Sequence, residues 1–334
     1  MINKVYEKIK NSIKENYKFL LTVIVLIIFF FYELPFVIYR PGGTIDLSNR
    51  ISIEDGYSSE GTLSMSYVSM MKGNIPFVLL SFVIPNWDLV STKQITLENE
   101  SVSDSIERDR LFLEEGLDNA TISAYNLAGK EIRIKDIHHV VVYITKEAQT
   151  DLEIGDVILS VNEKEFAELV ELQEYINSLQ KDDEVIFKVL RNGEERTCYA
   201  KIYEIENTLK VGISIINKYE YETIPKITIE TKSSESGSSG GLMTALSIYN
   251  ALTEEDITKN RMIVGTGTID ADGNVGEIGG IKYKLLGAEK VKADIFLCPL
   301  ENYEEASIIK EKNHLQLSLI PVRTLKEAIE ELKK

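Results

Sequence analysis

The chain has 334 residues, of which 44% are hydrophobic and 27% charged, and its 37 basic and 53 acidic side chains give a formal net charge of −16 at pH 7. This apolar fraction excludes a disordered chain, and the length allows two or three domains, each with its own core. The acidic balance argues against a nucleic acid partner, which requires a basic surface. With only two cysteines and three histidines, we expect no disulfide framework, no metal and no cofactor, and two free thiols at Cys198 and Cys298.

An apolar run near the N-terminus predicts a membrane segment. From Phe19 to Tyr39 the chain has 21 residues, interrupted by Thr22, Glu33 and Pro35. As a helix this run would measure about 31 Å, which is enough to cross a bilayer. A cleaved signal peptide is the alternative, but no small-residue cleavage site follows the run. We therefore expect a transmembrane helix over residues 19–39.

The lysines around this run predict its orientation. Lys4, Lys8, Lys10, Lys14 and Lys18 precede it, whereas only two arginines follow it shortly after. By the positive-inside rule, residues 1–18 form a cytoplasmic N-terminus, and the rest of the chain is extracytoplasmic on a single-pass protein of the cell membrane. The same 18 residues could also form a basic amphipathic helix on the membrane surface.

Residues 40–125 give the weakest pattern. Partial alternation over residues 64–70 predicts a strand, and helical spacing over residues 111–127 predicts a helix. We expect an extracytoplasmic α/β region of unclear type.

Residues 126–205 give a clearer pattern. Residues 140–144 predict a strand, residues 152–162 a turn and a strand, and residues 169–179 a helix with one apolar face. A hairpin follows, with its turn at Arg191-Asn192-Gly193. This order, together with the string Gly-Asp-Val-Ile-Leu-Ser-Val-Asn that begins at Gly155, resembles a PDZ domain.

The PDZ resemblance implies that an extended peptide binds beside a helix as an added strand. The implied groove lies between the first strand and the helix of this module, and it is lined by Val140, Val141, Val142, Tyr143, Ile144, Leu172 and Ile176. His138 and His139 stand where the usual carboxylate-binding loop would be, so strict recognition of a C-terminus is not implied. A module that only packs within the protein is the alternative.

A loop of small residues over 233–241 lies between a predicted strand at 226–231 and a predicted helix that begins at Leu242. Such a geometry suits an anionic oxygen at a helix N-terminus. Phosphate binding, a serine nucleophile with an oxyanion hole, and a plain connecting loop remain open on this pattern alone. The phosphate-loop motif G-x-x-x-x-G-K-[ST] does not occur in the sequence.

The residues after this loop favour one of these three alternatives, the serine nucleophile. A strand at 262–269, a turn at 270–274, a segment at 275–286 that leads into a helix, and a strand at 293–298 together resemble the proteolytic domain of the Lon family of serine proteases, over about residues 226–333. That family carries its nucleophile in Gly-Pro-Ser-Ala-Gly, which aligns with residues 237–241.

The resemblance implies a Ser-Lys dyad of Ser239 and Lys284. Thr266-Gly267, Gly279-Gly280 and Lys284 match the second family motif, and Lys282 would point about 200° away on a helix. A buried lysine with a lowered pKa can act as the base, with Thr266 orienting it. Backbone amides near Ser239, with Gly237 and Gly240 as candidates, would hold the oxyanion. Ser238 and Gly240 replace the family's proline and alanine and predict a more flexible turn.

The order of these parts resembles the membrane-anchored bacterial PDZ–Lon-type serine proteases. It implies an α+β multi-domain chain with an N-terminal transmembrane helix, a PDZ-like β-rich domain at 126–205 and a Lon-type α/β proteolytic domain at 206–334. We expect an ATP-independent endopeptidase that acts on extracytoplasmic peptides or unstructured segments. The PDZ-like module would bind or gate the substrate, and the resemblance also allows a homo-oligomer. An inactive PDZ scaffold and a latent peptide sensor are the alternatives.

Overall fold

The computed structural model describes residues 2–334, and the side chains of residues 6–7 and 10–334. The helices are α1 (Ile2–Glu15), α2 (Tyr17–Phe31), α3 (Ile75–Ser81), α4 (Val102–Leu127), α5 (Leu169–Asn177), α6 (Gly241–Leu252), α7 (Ile281–Lys290), α8 (Tyr303–Asn313) and α9 (Leu325–Lys333). The strands are β1 (Glu33–Asp46), β2 (Ile51–Ile53), β3 (Thr62–Asn74), β4 (Asp88–Ser91), β5 (Glu131–Ile144), β6 (Val157–Val161), β7 (Glu184–Arg191), β8 (Glu194–Lys201), β9 (Tyr203–Ile205), β10 (Thr208–Lys210), β11 (Ile213–Ile224), β12 (Ile227–Ile229), β13 (Met262–Gly265), β14 (Thr268–Ile269), β15 (Val275–Gly276), β16 (Ile295–Pro299) and β17 (Ser318–Val322). The chain forms two compact units, one from Met1–Pro41 with Val68–Ile95 and one from Gly42–Tyr67 with Thr96–Lys334.

The first unit contains the predicted membrane segment, and here the structure differs from the prediction. Helix α2 has 15 residues and is therefore about 22 Å long, whereas a bilayer core measures about 30 Å. The helix ends at Phe31, and Tyr32 is already extended. Pro35, which has no N–H and disfavours helical geometry in the residue before it, lies in the strand that follows. The β-favouring residues that follow pair with β4, Phe36 opposite Ser91 and Tyr39 opposite Asp88.

Within the described residues, the structure contains no helix that is both long enough and apolar enough to cross a membrane. The predicted transmembrane helix over residues 19–39 is therefore wrong, because the run divides into a short helix and a strand. The membrane helix in the predicted fold class and the predicted single-pass location in the cell membrane are wrong with it.

The second unit contains a five-stranded antiparallel sheet in the order β11-β5-β6-β7-β8. Helix α5 packs on it, and the core between them includes Val141, Leu172, Ile176 and Phe187. Asn192 and Gly193 both have positive φ, as a two-residue hairpin turn requires, because its twist matches that of the strands. The predicted order of strands, helix and hairpin over this stretch is confirmed.

The second unit also contains an α/β layer, in which helices pack on both faces of a set of parallel strands. β3, β13, β16 and β17 pair in parallel in that order. Alternate residues point to opposite faces, so Ile263 packs with α6 and α9, whereas Val264 packs with α7 and α8. Cys298 lies in the second of these cores, and both Cys198 and Cys298 are free and buried, as expected.

Parts of residues 40–125 belong to this same α/β layer. The predicted strand at 64–70 lies in β3 and the predicted helix at 111–127 in α4. Leu63 and Ala124 share one hydrophobic core with Leu246 of α6, and β2 pairs with β12. Helix α4 begins at Val102, and the hydroxyl of the N-cap residue Ser101 accepts the Asp104 N–H in a capping box. In the sequence, the five-stranded sheet is therefore inserted between α4 and β12, two elements that pack in the same hydrophobic core.

Candidate active site

The predicted nucleophile turn lies between β12 and α6, and α4 supports it from outside. Gly237 has a φ of 82°, and its N–H donates to the Asp109 carbonyl of α4 at 2.8 Å. Gly116, also on α4, lies so close that an added Cβ would be 3.3 Å from Ser238 Cα. The turn is therefore held by a helix that precedes it by more than 100 residues.

Two hydrogen bonds fix the backbone of Ser239. Its carbonyl accepts the Gly267 N–H at 2.8 Å and the Thr266 hydroxyl at 2.9 Å. Thr266 is fully buried, so both bonds lie in a region with little water, where they are stronger than at the surface. The serine turn and the end of β13 therefore form one rigid unit.

The candidate base, Lys284, lies on α7 and is buried against this unit. The helix begins after Gly280, which has the left-handed geometry that glycine adopts most easily. Lys284 is 3% exposed, and its Nζ donates to Thr266 Oγ1 at 3.0 Å. Thr266 therefore connects the lysine amine to the Ser239 carbonyl through two consecutive hydrogen bonds.

Burial lowers the pKa of Lys284 from its ordinary value to about 8. The cause is desolvation, because the charged ammonium loses its water in the interior. In the part of the chain that the structure describes, no carboxylate pairs with this amine to oppose the effect. About a tenth of Lys284 is therefore neutral at pH 7, and a general base must be neutral to accept a proton.

Across residues 2–334, the Ser239 hydroxyl and the Lys284 amine share no direct hydrogen bond. Such bonds are often long before substrate binds. Within the same residues, the N–H groups of Ser239 and Gly240 donate to no acceptor, so they can hold an oxyanion. The N–H of Gly237 is occupied by Asp109, and Gly237 therefore does not fit the predicted oxyanion role.

Gly240 faces Met65, a neighbour that the sequence did not reveal. Its φ of −90° and ψ of −7° are helical values that alanine also adopts. A Cβ at this position, however, would lie 2.6 Å from the sulfur of Met65 on β3. Met65 Sδ thus occupies the space that a Cβ at residue 240 would need, and an alanine there would require this flexible side chain to shift.

The remaining basic candidates lie apart from this arrangement. Lys282 is only half-buried, and its Nζ lies 5.4 Å from the centroid of the Tyr283 ring. His139 is buried, and its ring nitrogens contact Asn217 Oδ1 at 2.9 Å and the Phe166 carbonyl at 3.1 Å. The structure therefore brings together Ser239, Thr266 and Lys284 from the predicted set.

The predicted peptide-binding residues occupy a different environment from the one expected. Val140, Val141 and Val142 are buried, and Tyr143 and Ile144 continue the same strand, β5, which lies between β11 and β6. Leu172 and Ile176 face the core with Val141. An added strand needs unpaired backbone groups, and β5 offers none along its β11 side, where it is paired from end to end.

The outer strands of this sheet are β11 and β8. Ile213 and Ile215 at the start of β11 pack against the core that contains α5. Sequence analysis did not identify this strand. Its signal was the apolar alternation directly after Gly212, whose φ is 85°.

The fold and the site define the chain as a PDZ-like module combined with a serine peptidase domain. Residues 126–202 match the PDZ domain family, and residues 216–333 match the Lon protease (S16) C-terminal proteolytic domain. These matches confirm the two predicted domain types and support a serine peptidase of the S16 family.

Individual relatives agree with the second match. The Lon protease of Aster yellows witches'-broom phytoplasma (strain AYWB) is 31% identical over 96 residues, which is 29% of this chain and 12% of the relative. The Lon protease of Neorickettsia sennetsu is 33% identical over 100 residues, which is 30% of this chain and 12% of the relative. The chain thus spans only a small part of the curated relatives it matches. The PDZ domain of an SdrC-like protein from Listeria monocytogenes is 17% identical with a TM-score of 0.22, and covers 26% of this chain and 93% of that one.

Proposed function

We propose that this chain is an ATP-independent serine endopeptidase that cleaves peptides or unstructured protein segments with a Ser239–Lys284 dyad. The observation that carries the proposal is the buried Lys284 amine, which has a pKa of about 8 and is connected to Ser239 through Thr266. A buried lysine costs free energy of folding. A catalytic role explains why such a residue is kept beside a serine at a helix N-terminus.

In the proposed mechanism, the neutral Lys284 amine takes the proton of Ser239 Oγ while that oxygen attacks the carbonyl carbon of a peptide bond. The negative oxygen of the tetrahedral intermediate accepts the N–H groups of Ser239 and Gly240. Lys284 then gives its proton to the leaving amine, and the C–N bond breaks to leave an acyl-enzyme. Water, deprotonated by Lys284, releases the acid product and restores Ser239.

This mechanism consumes no nucleotide. The 334 residues contain no phosphate-loop motif. Without mechanical unfolding, a buried peptide bond in a stable protein would not reach Ser239. We therefore expect turnover of peptides and unfolded segments in the absence of ATP, and little turnover of stably folded proteins.

We propose that the PDZ module binds substrate along the outer edge of β11 and gates the dyad through α4. Helix α4 contacts β11 by a hydrogen bond from the Tyr219 N–H to Asp118 Oδ2 at 3.0 Å and by an ion pair between Lys218 and Glu114. The same helix supplies Asp109 and Gly116 to the serine turn. A peptide that shifts β11 would therefore act on the nucleophile through one rigid element.

The test compares wild-type full-length chain with Ser239→Ala, Lys284→Ala and Lys282→Ala on a fluorescently labelled unstructured protein without ATP. Loss of turnover in the first two variants and retention in the third would support the dyad. Equal turnover by wild type and Ser239→Ala would refute it. Binding without turnover by wild type would favour the scaffold. Repeating the assay at several chain concentrations tests the homo-oligomer, because turnover per chain would then rise with concentration.

A further inference from the structure

A cavity of about 360 Å³ lies directly beside the serine turn. Its walls include Glu115, Gly116 and Asn119 of α4, Ser238 of the turn, and Ile269 and Asp270 at the end of β14. This volume lies at the lower end of the range for ligand pockets, about 300–1,000 Å³, and suits one long side chain. Ser238 directly precedes the candidate nucleophile in the chain, so the cavity adjoins the serine turn.

Three side chains present acceptors to this cavity, beside the hydroxyls of Ser238 and Thr268, which can both donate and accept. Asn119 Nδ2 donates to the Ile269 carbonyl at 3.2 Å, so its other amide atom, Oδ1, remains as an acceptor. Asp270 already accepts two hydrogen bonds from Asn274, both at 2.8 Å. Glu115 adds a carboxylate, and the lining residues include no lysine, arginine or histidine. A ligand group with several donors and a positive charge would complement this set.

Glu115 is the group without a partner. Throughout the described part of the chain it makes neither a hydrogen bond nor an ion pair. Burial raises its pKa to about 7, and the nearby charge of Asp118 adds to this effect. A half-buried carboxylate that lacks a cation is costly, so an incoming cation would gain more here than at the protein surface.

We propose that this cavity receives a lysine or arginine side chain from the substrate residue that precedes the scissile bond, and that Glu115 determines this specificity. The inference rests on the proposed endopeptidase function, because Ser239 is taken as the attacking group. The ammonium or guanidinium group would bind the Glu115 carboxylate and Asn119 Oδ1, and the aliphatic part would contact Ile269.

The test uses the full chain and peptides that differ only at the residue before the scissile bond, with Lys, Arg, Gln, Leu or Glu there. We expect kcat/KM for Lys and Arg to exceed that for Gln by about 10- to 100-fold. Glu115→Gln should remove this preference, so that the Lys, Arg and Gln peptides are cleaved with similar kcat/KM. Glu115→Lys should transfer the preference to the Glu peptide. Glu107→Gln, about two turns earlier on α4 and outside the cavity lining, is the matched control and should behave as wild type.

Equal cleavage of the Lys and Leu peptides by wild type would overturn the proposal, as would a Lys preference that survives Glu115→Gln. A second measurement separates it from the proposed function. Binding of the Arg and Leu peptides to Ser239→Ala is titrated with and without Glu115→Gln. If wild type cleaves no peptide, the proposed function fails, and the cavity is still decided by this titration. If Ser239→Ala binds the Arg peptide more tightly than the Leu peptide, and this difference disappears in the double variant, the proposed role of the cavity is supported. Equal affinities for the two peptides would refute it.

Discussion

The pH dependence of turnover gives the sharpest test of Lys284 as the base. With a pKa of about 8, about 9% of this amine is neutral at pH 7, against about 0.04% for a lysine at the ordinary pKa of about 10.4. Burial therefore raises the concentration of competent base about 200-fold at neutral pH. Because only the neutral amine accepts the serine proton, kcat/KM should rise about 50-fold from pH 6 to pH 8 and level off above about pH 9.

The assay measures kcat/KM of the full chain from pH 6 to pH 9.5 at constant ionic strength. A peptide with Leu before the scissile bond is used, because Glu115 also titrates, at about 7, and would change the binding of a cationic side chain. Glu115→Gln should keep the same inflection on this peptide. An inflection near 6.5 would indicate a histidine base, and one near 10 an unperturbed lysine. Either result would refute the assignment of a desolvated Lys284 as the base.

Three further substitutions test the same arrangement. Lys284→Met removes a buried cation that destabilises the folded state. Between about pH 8 and 10.4, Lys284 is protonated in the unfolded chain but neutral in the folded protein, so the free energy of unfolding of wild type rises with pH across this window. Wild type is therefore less stable by about 3 kcal/mol below the window than above it. We expect the variant to melt several degrees higher at pH 7 by calorimetry, with a smaller gain at pH 10, and a lower melting temperature would contradict this. Thr266→Val removes both hydrogen bonds of the hydroxyl and should lower kcat by about 10- to 100-fold with little change in KM; an unchanged kcat would exclude the orienting role. Gly116→Ala favours the helix by about 1 kcal/mol but places a Cβ 3.3 Å from Ser238 Cα. We therefore expect kcat to fall about tenfold or more without a loss of melting temperature. Full activity of this variant would refute the idea that α4 supports the serine turn.

The sequence alone predicts the elements whose determinants are local. The Asn192-Gly193 hairpin follows from two residues that tolerate positive φ. The helix of residues 111–127 follows from its apolar spacing. Ser239, Thr266 and Lys284 follow from motif spacing within about 50 residues of chain, although only the fold shows that Lys284 is buried and bonded to Thr266.

Tertiary structure decided the features that depend on distant residues. The apolar run at 19–39 divides at Tyr32, and its second half becomes a strand by pairing with β4, about 50 residues later in the chain. A hydropathy profile averages the hydrophobicity of neighbouring residues in a window, so it contains no information about a pairing strand elsewhere in the chain. In the same way, the edge of β5 is occupied by β11, which lies some 80 residues away.

The surroundings of the nucleophile show the same division. The sequence places a serine in a turn of small residues at the start of a helix, because that chemistry is local. Met65 against Gly240, Asp109 against Gly237 and Gly116 against Ser238 all come from before the PDZ domain, and no local pattern records them. Packing alone determines which of these atoms meet, because each contact depends on how β3 and α4 fold back onto α6.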